Sequence, residues 1–219
     1  RAVLFDAGDI LYHRPDRLER LRRFLCEAGL DPDQDHRQAE EMLIQQAYRG
    51  ELDQAGYHEA LLRLYGVSQP ELMEQGRQLL GEADEDVEFF EGVRSTLVSL
   101  KETGYLLGIV TDTANPVYRK LRWFERGGFG HVWDSIISSN ELGTRKPDPR
   151  IYRAALEQLG LSPAQAVFVG HKASELDGAR AVGMVTISFN ADPDASADFC
   201  IDHFADLLRL PILSGEAQL

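Results

Sequence analysis

Ala2-Val3-Leu4-Phe5-Asp6-Ala7-Gly8-Asp9 sets four apolar residues against an acidic turn that carries a glycine. An apolar run with no polar residue alternating through it reads as a strand buried on both faces, the habit of parallel sheets. A carboxylate closing such a strand stands where open α/β sheets gather their ligands. Leu106 to Val110 followed by Thr111, Ser135 to Ser138, Ala166 to Val169 and Val185 to Ser188 repeat the strand signal. Between and around them Val93 to Glu102, Pro116 to Phe124, Pro149 to Leu159 and Leu176 to Val182 carry helical spacing. Strands and helices in alternation predict the α/β class, with a doubly wound parallel sheet covered on both faces.

From about Arg17 to Leu80 the period changes. Leu18, Leu21 and Leu25, then Met42, Leu43 and Ala47, then Ala60, Leu61 and Leu64 recur at three- and four-residue steps among charged residues. Gly29, Gly50 and Gly66 divide this stretch into about four helices. The organisation this predicts is a core domain of residues 1–15 and 85–219 with a small helical cap domain, residues 16–84, inserted in it. The tail beyond Pro211 reads as irregular.

A chain of 219 residues, 43% hydrophobic, buries a sizeable core without a disulfide or metal staple. Its two cysteines, Cys26 and Cys200, match no metal or redox spacing and read as reduced thiols packed in the interior. A net charge of −13 argues against binding nucleic acid or an anionic membrane, because a polyanion meets repulsion there. Apolar runs such as Tyr105 to Val110 fall far short of the roughly 20 residues of a membrane span. Arg1 to Phe5 runs straight into a strand, so no signal peptide is expected and the location expected is cytoplasmic. Small-molecule chemistry is the class that remains.

Four strand ends carry polar groups: Asp6, Thr111, Lys146 in the loop Gly143 to Pro149, and the stretch Gly170 to Glu175. In a parallel sheet these ends converge on one edge. A carboxylate, a hydroxyl and an ammonium gathered there suit attack on an electrophile whose negative charge Lys146 and Thr111 hold. Each residue alone has a blander reading, since a strand-end Asp commonly shapes a turn and a loop Lys is commonly a solvated charge.

Their order and context are specific. Val3-Leu4-Phe5-Asp6, Ile109-Val110-Thr111-Asp112, Leu142-Gly143-Thr144-Arg145-Lys146-Pro147-Asp148-Pro149-Arg150-Ile151-Tyr152, and Val167-Phe168-Val169-Gly170 through Gly178-Ala179-Arg180-Ala181-Val182-Gly183-Met184 resemble, in order, the four motifs of the haloacid-dehalogenase-like superfamily. The helical insertion after the first motif resembles that superfamily's α-helical cap, and Arg49-Gly50-Glu51-Leu52-Asp53 looks like the cap of its sugar-phosphate phosphatases. The resemblance implies a Rossmann-like core and a hydrolase, with Asp6 as nucleophile, Thr111 as donor to the substrate anion and Lys146 as neutralising cation. It implies Mg2+ as cofactor, held by Asp6, the carbonyl of Gly8 and Glu175, and a small phosphorylated molecule as substrate. Ala7, Gly8 and Asp112, with His13 and Arg14 where the family has its flexible flap, are assigned to substrate binding.

Two positions depart from the pattern. Phosphatases of the family place an acid two residues after the nucleophile, where this chain has Gly8; Asp9 is the substitute, if a tight turn swings it inward. Some sugar-phosphate phosphatases of the superfamily read Asp-x-Gly-Asn there. An acidic residue normally follows the glycine of the fourth motif, where this chain has His171 and then Lys172, and imidazole is a poor partner for magnesium. The expectation is therefore a phosphatase with an atypical acid and metal site. One alternative is a catalytically silent, anion-binding protein of the same fold, with His171 and Lys172 as surface residues. The other is a metal-independent 2-haloacid dehalogenase, since halide leaves without a proton. Tyr48, Arg49 and Tyr57 are cap candidates of lower rank, Asp177 reads as solvent-facing, and Trp123 and Trp133 read as packing.

Overall fold

The structure is a computed structural model and describes residues 1–214. Eight strands occur among them: β1 (Ala2–Phe5), β2 (Tyr12–His13), β3 (Glu88–Phe89), β4 (Leu106–Thr111), β5 (Ser135–Ser138), β6 (Ala166–Gly170), β7 (Val185–Ser188) and β8 (Phe199–Cys200). Six form one sheet of order β5-β4-β1-β6-β7-β8 with every pairing parallel. The chain winds outward from β1 in both directions, so the fold is the Rossmann-like, doubly wound α/β type.

The apolar run of β1 is continuous because each face of the sheet claims alternate residues. Val3 and Phe5 join a cluster with Leu97 and Leu100 from helix α5 and with Trp123 and Phe124 from a second helix on that face. Ala2 and Leu4 join another with Ile151, Tyr152, Leu176 and Ala179 on the opposite face. The helices concerned are α5 (Val93–Glu102) and α6 (Val117–Arg126) on the first face, and α8 (Pro149–Leu159) and α9 (Ala173–Val182) on the second, with a short α7 (Ser139–Leu142) after β5. Each fully buried Leu, Val or Phe contributes about 1.5–3 kcal/mol, so the two layers hold the sheet without help from cross-links.

Between β2 and β3 lie α1 (Arg17–Glu27), α2 (Arg37–Tyr48), α3 (Gln54–Leu64) and α4 (Pro70–Glu85). They bury a third apolar cluster of their own, built on Leu21, Phe24, Leu25, Leu61, Leu62 and Leu80. Asp53 caps α3, its side chain accepting the Gly56 N–H at 2.7 Å, and Pro70 opens α4. Gly50 ends α2 with φ of 73°, and a Cβ there would lie 2.3 Å from the carbonyl oxygen of Asn140 in α7, so only glycine lets the insertion approach the sheet at this point. The chain enters and leaves the insertion through a two-stranded antiparallel ribbon, Tyr12 opposite Phe89 and His13 opposite Glu88.

Three expectations change. Both cysteines are free and exposed rather than interior, because Cys26 falls on the outer face of α1 and Cys200 on the edge strand β8. The last helix of the sheet begins at Ala173, one turn earlier than the apolar spacing indicates. The segment after Pro211 is a turn as far as Ser214, but Ile212 and Leu213 are buried and the Tyr105 hydroxyl donates to the Leu213 carbonyl at 3.2 Å; the rest of the expected irregular tail lies outside the described residues. Among the described residues no helix is long and apolar enough to cross a membrane.

Candidate active site

The order of the sheet puts Asp6 at its switch point, with β4 on one side and β6 on the other. Its backbone N–H still extends the ladder to the Val169 carbonyl at 2.9 Å, after which the chain turns away. The α7–α8 loop delivers Lys146 to the same edge, the turn between β6 and α9 delivers His171, and the first turn of α9 delivers Glu175.

Lys146 Nζ lies 2.7 Å from Asp6 Oδ1 and 2.8 Å from Glu175 Oε2, two close ion pairs that are not aligned as hydrogen bonds. All three side chains are buried, Lys146 being 2% exposed. Taking charge out of water is costly unless it is paired, and here one ammonium serves two carboxylates. Burial opposes ionisation of Asp6, but Lys146, helped by His171 and Lys172, outweighs it and holds the carboxyl below its ordinary value. Glu175 goes the other way: burial, together with the charge of Asp6, raises it despite Lys146. Lys146 is raised in turn, because its two anionic neighbours outweigh its own burial. Asp6 thus stays an anion at neutral pH, as a nucleophile must.

The surroundings fix this triad. Asp6 Oδ1 also accepts the Ala7 N–H at 2.8 Å, and Asp112 Oδ1 accepts the Lys146 backbone N–H at 3.1 Å. Burial raises the Asp112 carboxyl. Tyr152 donates to the Glu175 carbonyl at 2.7 Å and so pins the first turn of α9. His171 Nδ1 is 3.6 Å from Asp6 Oδ2, and its Nε2 is 3.9 Å from Asp9 Oδ2.

A turn does form after Asp6. Asp9 has φ of 59°, its N–H donates to the Tyr12 carbonyl at 2.8 Å and its own carbonyl accepts from Asn190 at 2.9 Å. The turn leaves the Asp9 carboxylate 66% exposed, beside His171 and on the wall of the site. At Gly8 a Cβ would meet nothing within 4 Å, so packing does not require the glycine.

A cavity of about 220 Å³ opens above Asp6, Lys146 and His171 and is walled by the helical insertion through Tyr48 and Tyr57. Gly8, Asp112 and Arg14 also line it; Thr111, 1% exposed at the end of β4, does not reach it, and Thr113 does. His13 is turned elsewhere, stacked on Phe90 at 5.1 Å and 3.6 Å from Glu88. Arg49 pairs with Glu51 at 2.8 Å and stays outside. Asp177 is exposed and pairs with Arg180, as its position on α9 led one to expect.

Opposite the triad stands a second polar group that the residue pattern did not announce. Asp84, at the end of α4, is buried and accepts from Arg17 at 2.9 Å, His58 at 2.9 Å and Gln54 at 2.5 Å. Burial would raise its carboxyl, but the His58 hydrogen bond and the charges of Arg17 and Arg14 pull it well below the ordinary range. Arg14 Nε donates to the Asp84 carbonyl at 3.3 Å. Lys120 Nζ lies 2.8 Å from the Tyr12 hydroxyl. Arg17, Asp84 and Lys120 all sit within helical spacing, where a charged residue reads as a solvated face, so sequence offered no signal for them.

The donors at the triad suit a divalent cation. Ligand atoms of Asp6, His171 and Glu175 fall within 4.8 Å of one another, and His171 Nδ1 and Glu175 Oε2 are buried without a hydrogen-bond partner. Two carboxylates are the hard oxygen donors magnesium takes, while the imidazole widens the fit to manganese or zinc.

A family model described as haloacid dehalogenase-like hydrolase matches residues 42–189. The chain is 31% identical, over 95% of both chains, to a glyceraldehyde 3-phosphate phosphatase of Methanopyrus kandleri. It is also 31% identical to a phosphoglycolate phosphatase of Xanthomonas campestris, over 86% of this chain and 82% of that one. A 2-haloacid dehalogenase from Pseudomonas syringae has the same fold, with a TM-score of 0.73 at 22% identity and 99% of both chains covered. A doubly wound sheet with an aspartate at its switch point, a lysine pairing it and these relatives together define a hydrolase class. The chain belongs to the haloacid dehalogenase-like hydrolase family.

Proposed function

We propose that this protein is a phosphatase of small phosphate monoesters, acting through an aspartyl-phosphate on Asp6, with residues 16–84 as the cap domain over the core of residues 1–15 and 85–219. The observation that carries the reading is the buried Asp6 paired with Lys146 at 2.7 Å in the wall of the cavity. Phosphatases at 31% identity over most of the chain support it.

In this mechanism the Asp6 carboxylate attacks phosphorus, the P–O ester bond breaks and an acyl phosphate forms. Lys146 and, from the cavity wall, Lys172 offset the charge on the phosphoryl oxygens. Asp9, with His171 beside it, gives the departing alkoxide its proton and then takes one from the water that releases phosphate. Asp6, the Gly8 carbonyl and Glu175 would hold magnesium, which would add charge neutralisation at the phosphoryl group. The absence of an acid at Gly8 also suits a reaction whose leaving group needs no proton, which keeps dehalogenation of 2-haloacids as the second reading.

Phosphate release from a panel of small phosphomonoesters with magnesium tests the proposal. Wild type should turn over at least one of them, and Asp6→Asn should lose at least about 10³-fold. No release from any, or equal rates in the variant, sinks it. Chloride release from 2-chloropropionate in its place would install the second reading.

A further inference from the structure

Lys120 is 2% exposed and lines the cavity; among the described residues its ammonium has the Tyr12 hydroxyl as its one hydrogen-bond partner, with the rings of Tyr12 and Trp123 at 5.4 and 5.6 Å. Arg14 lies over the same two rings, at 5.4 and 5.0 Å; its Nη2 is buried and has no partner. Among the described residues neither cation is in ion-pair contact with a carboxylate side chain. The carboxylate of the nearby Asp84 is in contact with Arg17, His58 and Gln54 and acts on Arg14 only through space, the Asp84 backbone carbonyl being what accepts from Arg14 Nε. Glu85, the next acid along, is taken by Arg119 at 3.0 Å, Arg126 at 3.6 Å and the Trp123 indole at 2.9 Å. Buried cations are ordinarily paired, and an aromatic face attracts a cation without neutralising it. Two cations in one cavity wall, both short of an anion, describe half of an ion-binding site.

We infer that Arg14 and Lys120 form a second anion subsite for a carboxylate of the substrate, which makes the substrate class a short-chain phosphorylated carboxylic acid. This rests on the phosphatase reading for the phosphoryl end alone. The Arg14 fork offers planar donors to a carboxylate, Lys120 a point charge, and the Tyr12 hydroxyl holds Lys120 in place. The small cavity limits the spacer between the two anionic ends to a few atoms.

The test compares kcat/KM for phosphoglycolate and for 2-hydroxyethyl phosphate, which match in size and differ in the carboxylate. Wild type should prefer phosphoglycolate by roughly 10- to 100-fold. Lys120→Met and Arg14→Gln should each raise KM for phosphoglycolate by about that factor and so narrow the ratio of kcat/KM between the two compounds. Circular dichroism and thermal melting certify that each variant is folded, and either one suffices for the test. Equal kcat/KM for the two compounds in wild type overturns the inference, as does a folded variant without a KM shift. A higher kcat/KM for ethylene glycol bisphosphate than for phosphoglycolate overturns the carboxylate assignment. If no phosphate ester is turned over, calorimetric titration with glycolate decides separately: binding lost in Lys120→Met supports the subsite while the phosphatase reading falls, and no binding to wild type overturns the subsite as well.

Discussion

Two lysines in this molecule are equally buried and oppositely provided for. Lys146 stands between two carboxylates, whereas Lys120 stands between a phenol hydroxyl and two aromatic faces. The first has its charge fully met by carboxylates, in a group that fixes its own geometry. The second keeps an unspent positive charge facing a cavity. Burial alone therefore says little about what a charged side chain is for; the count of its counter-ions says more.

The sharpest way to break that contrast is Lys146→Met. It leaves Asp6 and Glu175 as neighbouring buried anions, and the expected loss is about 3–5 kcal/mol in denaturant unfolding at pH 7. The deficit should shrink as pH is lowered toward 5, because a proton on Glu175 replaces part of the missing charge. A deficit independent of pH would mean that the ammonium packs rather than pairs.

Asp84→Asn acts on the other side of the cavity. The folded carboxyl is depressed, so its contribution to stability is present above the unfolded value and is lost as pH falls through the folded one. Wild type should exceed the variant by about 2–3 kcal/mol at pH 7, and the melting curves should begin to approach each other below about pH 4 and meet only well below it. Curves that stay parallel into acid would show that Asp84 gains nothing from ionisation.

Smallest should be the stability change in Lys120→Met. No carboxylate is orphaned and a similar volume remains on the Tyr12 and Trp123 rings, so unfolding should shift by no more than about 1 kcal/mol. A loss as large as that of Lys146→Met would erase the distinction between the two lysines.

The strands that carry the site were legible because β1, β4 and β6 are buried on both faces and leave unbroken apolar runs. Lys146 was legible from its loop, and Gly50 from its place after an apolar period. What escaped was either too short to have a period, as with β2, β3 and β8 at two residues each, or depended on which way a turn sends a side chain. Thr111 and Thr113 differ by two positions at one strand end, and only the second lines the cavity. His13 and Arg14 are adjacent, yet one faces Glu88 and the other the cavity. Lys120 was invisible for a related reason: its partners, Tyr12 and Trp123, come together only when β2 packs on α6.

The ribbon of Tyr12–His13 against Glu88–Phe89 makes the insertion a detour that begins and ends at the same place. Nothing in the register of the large sheet passes through α1 to α4, so the strand order does not depend on their length. A tight turn between β2 and β3 would close the remaining chain on itself, and a foreign segment with adjacent ends could be spliced in its stead. The helical insertion is thereby separable along the chain from the sheet edge that carries Asp6 and Lys146.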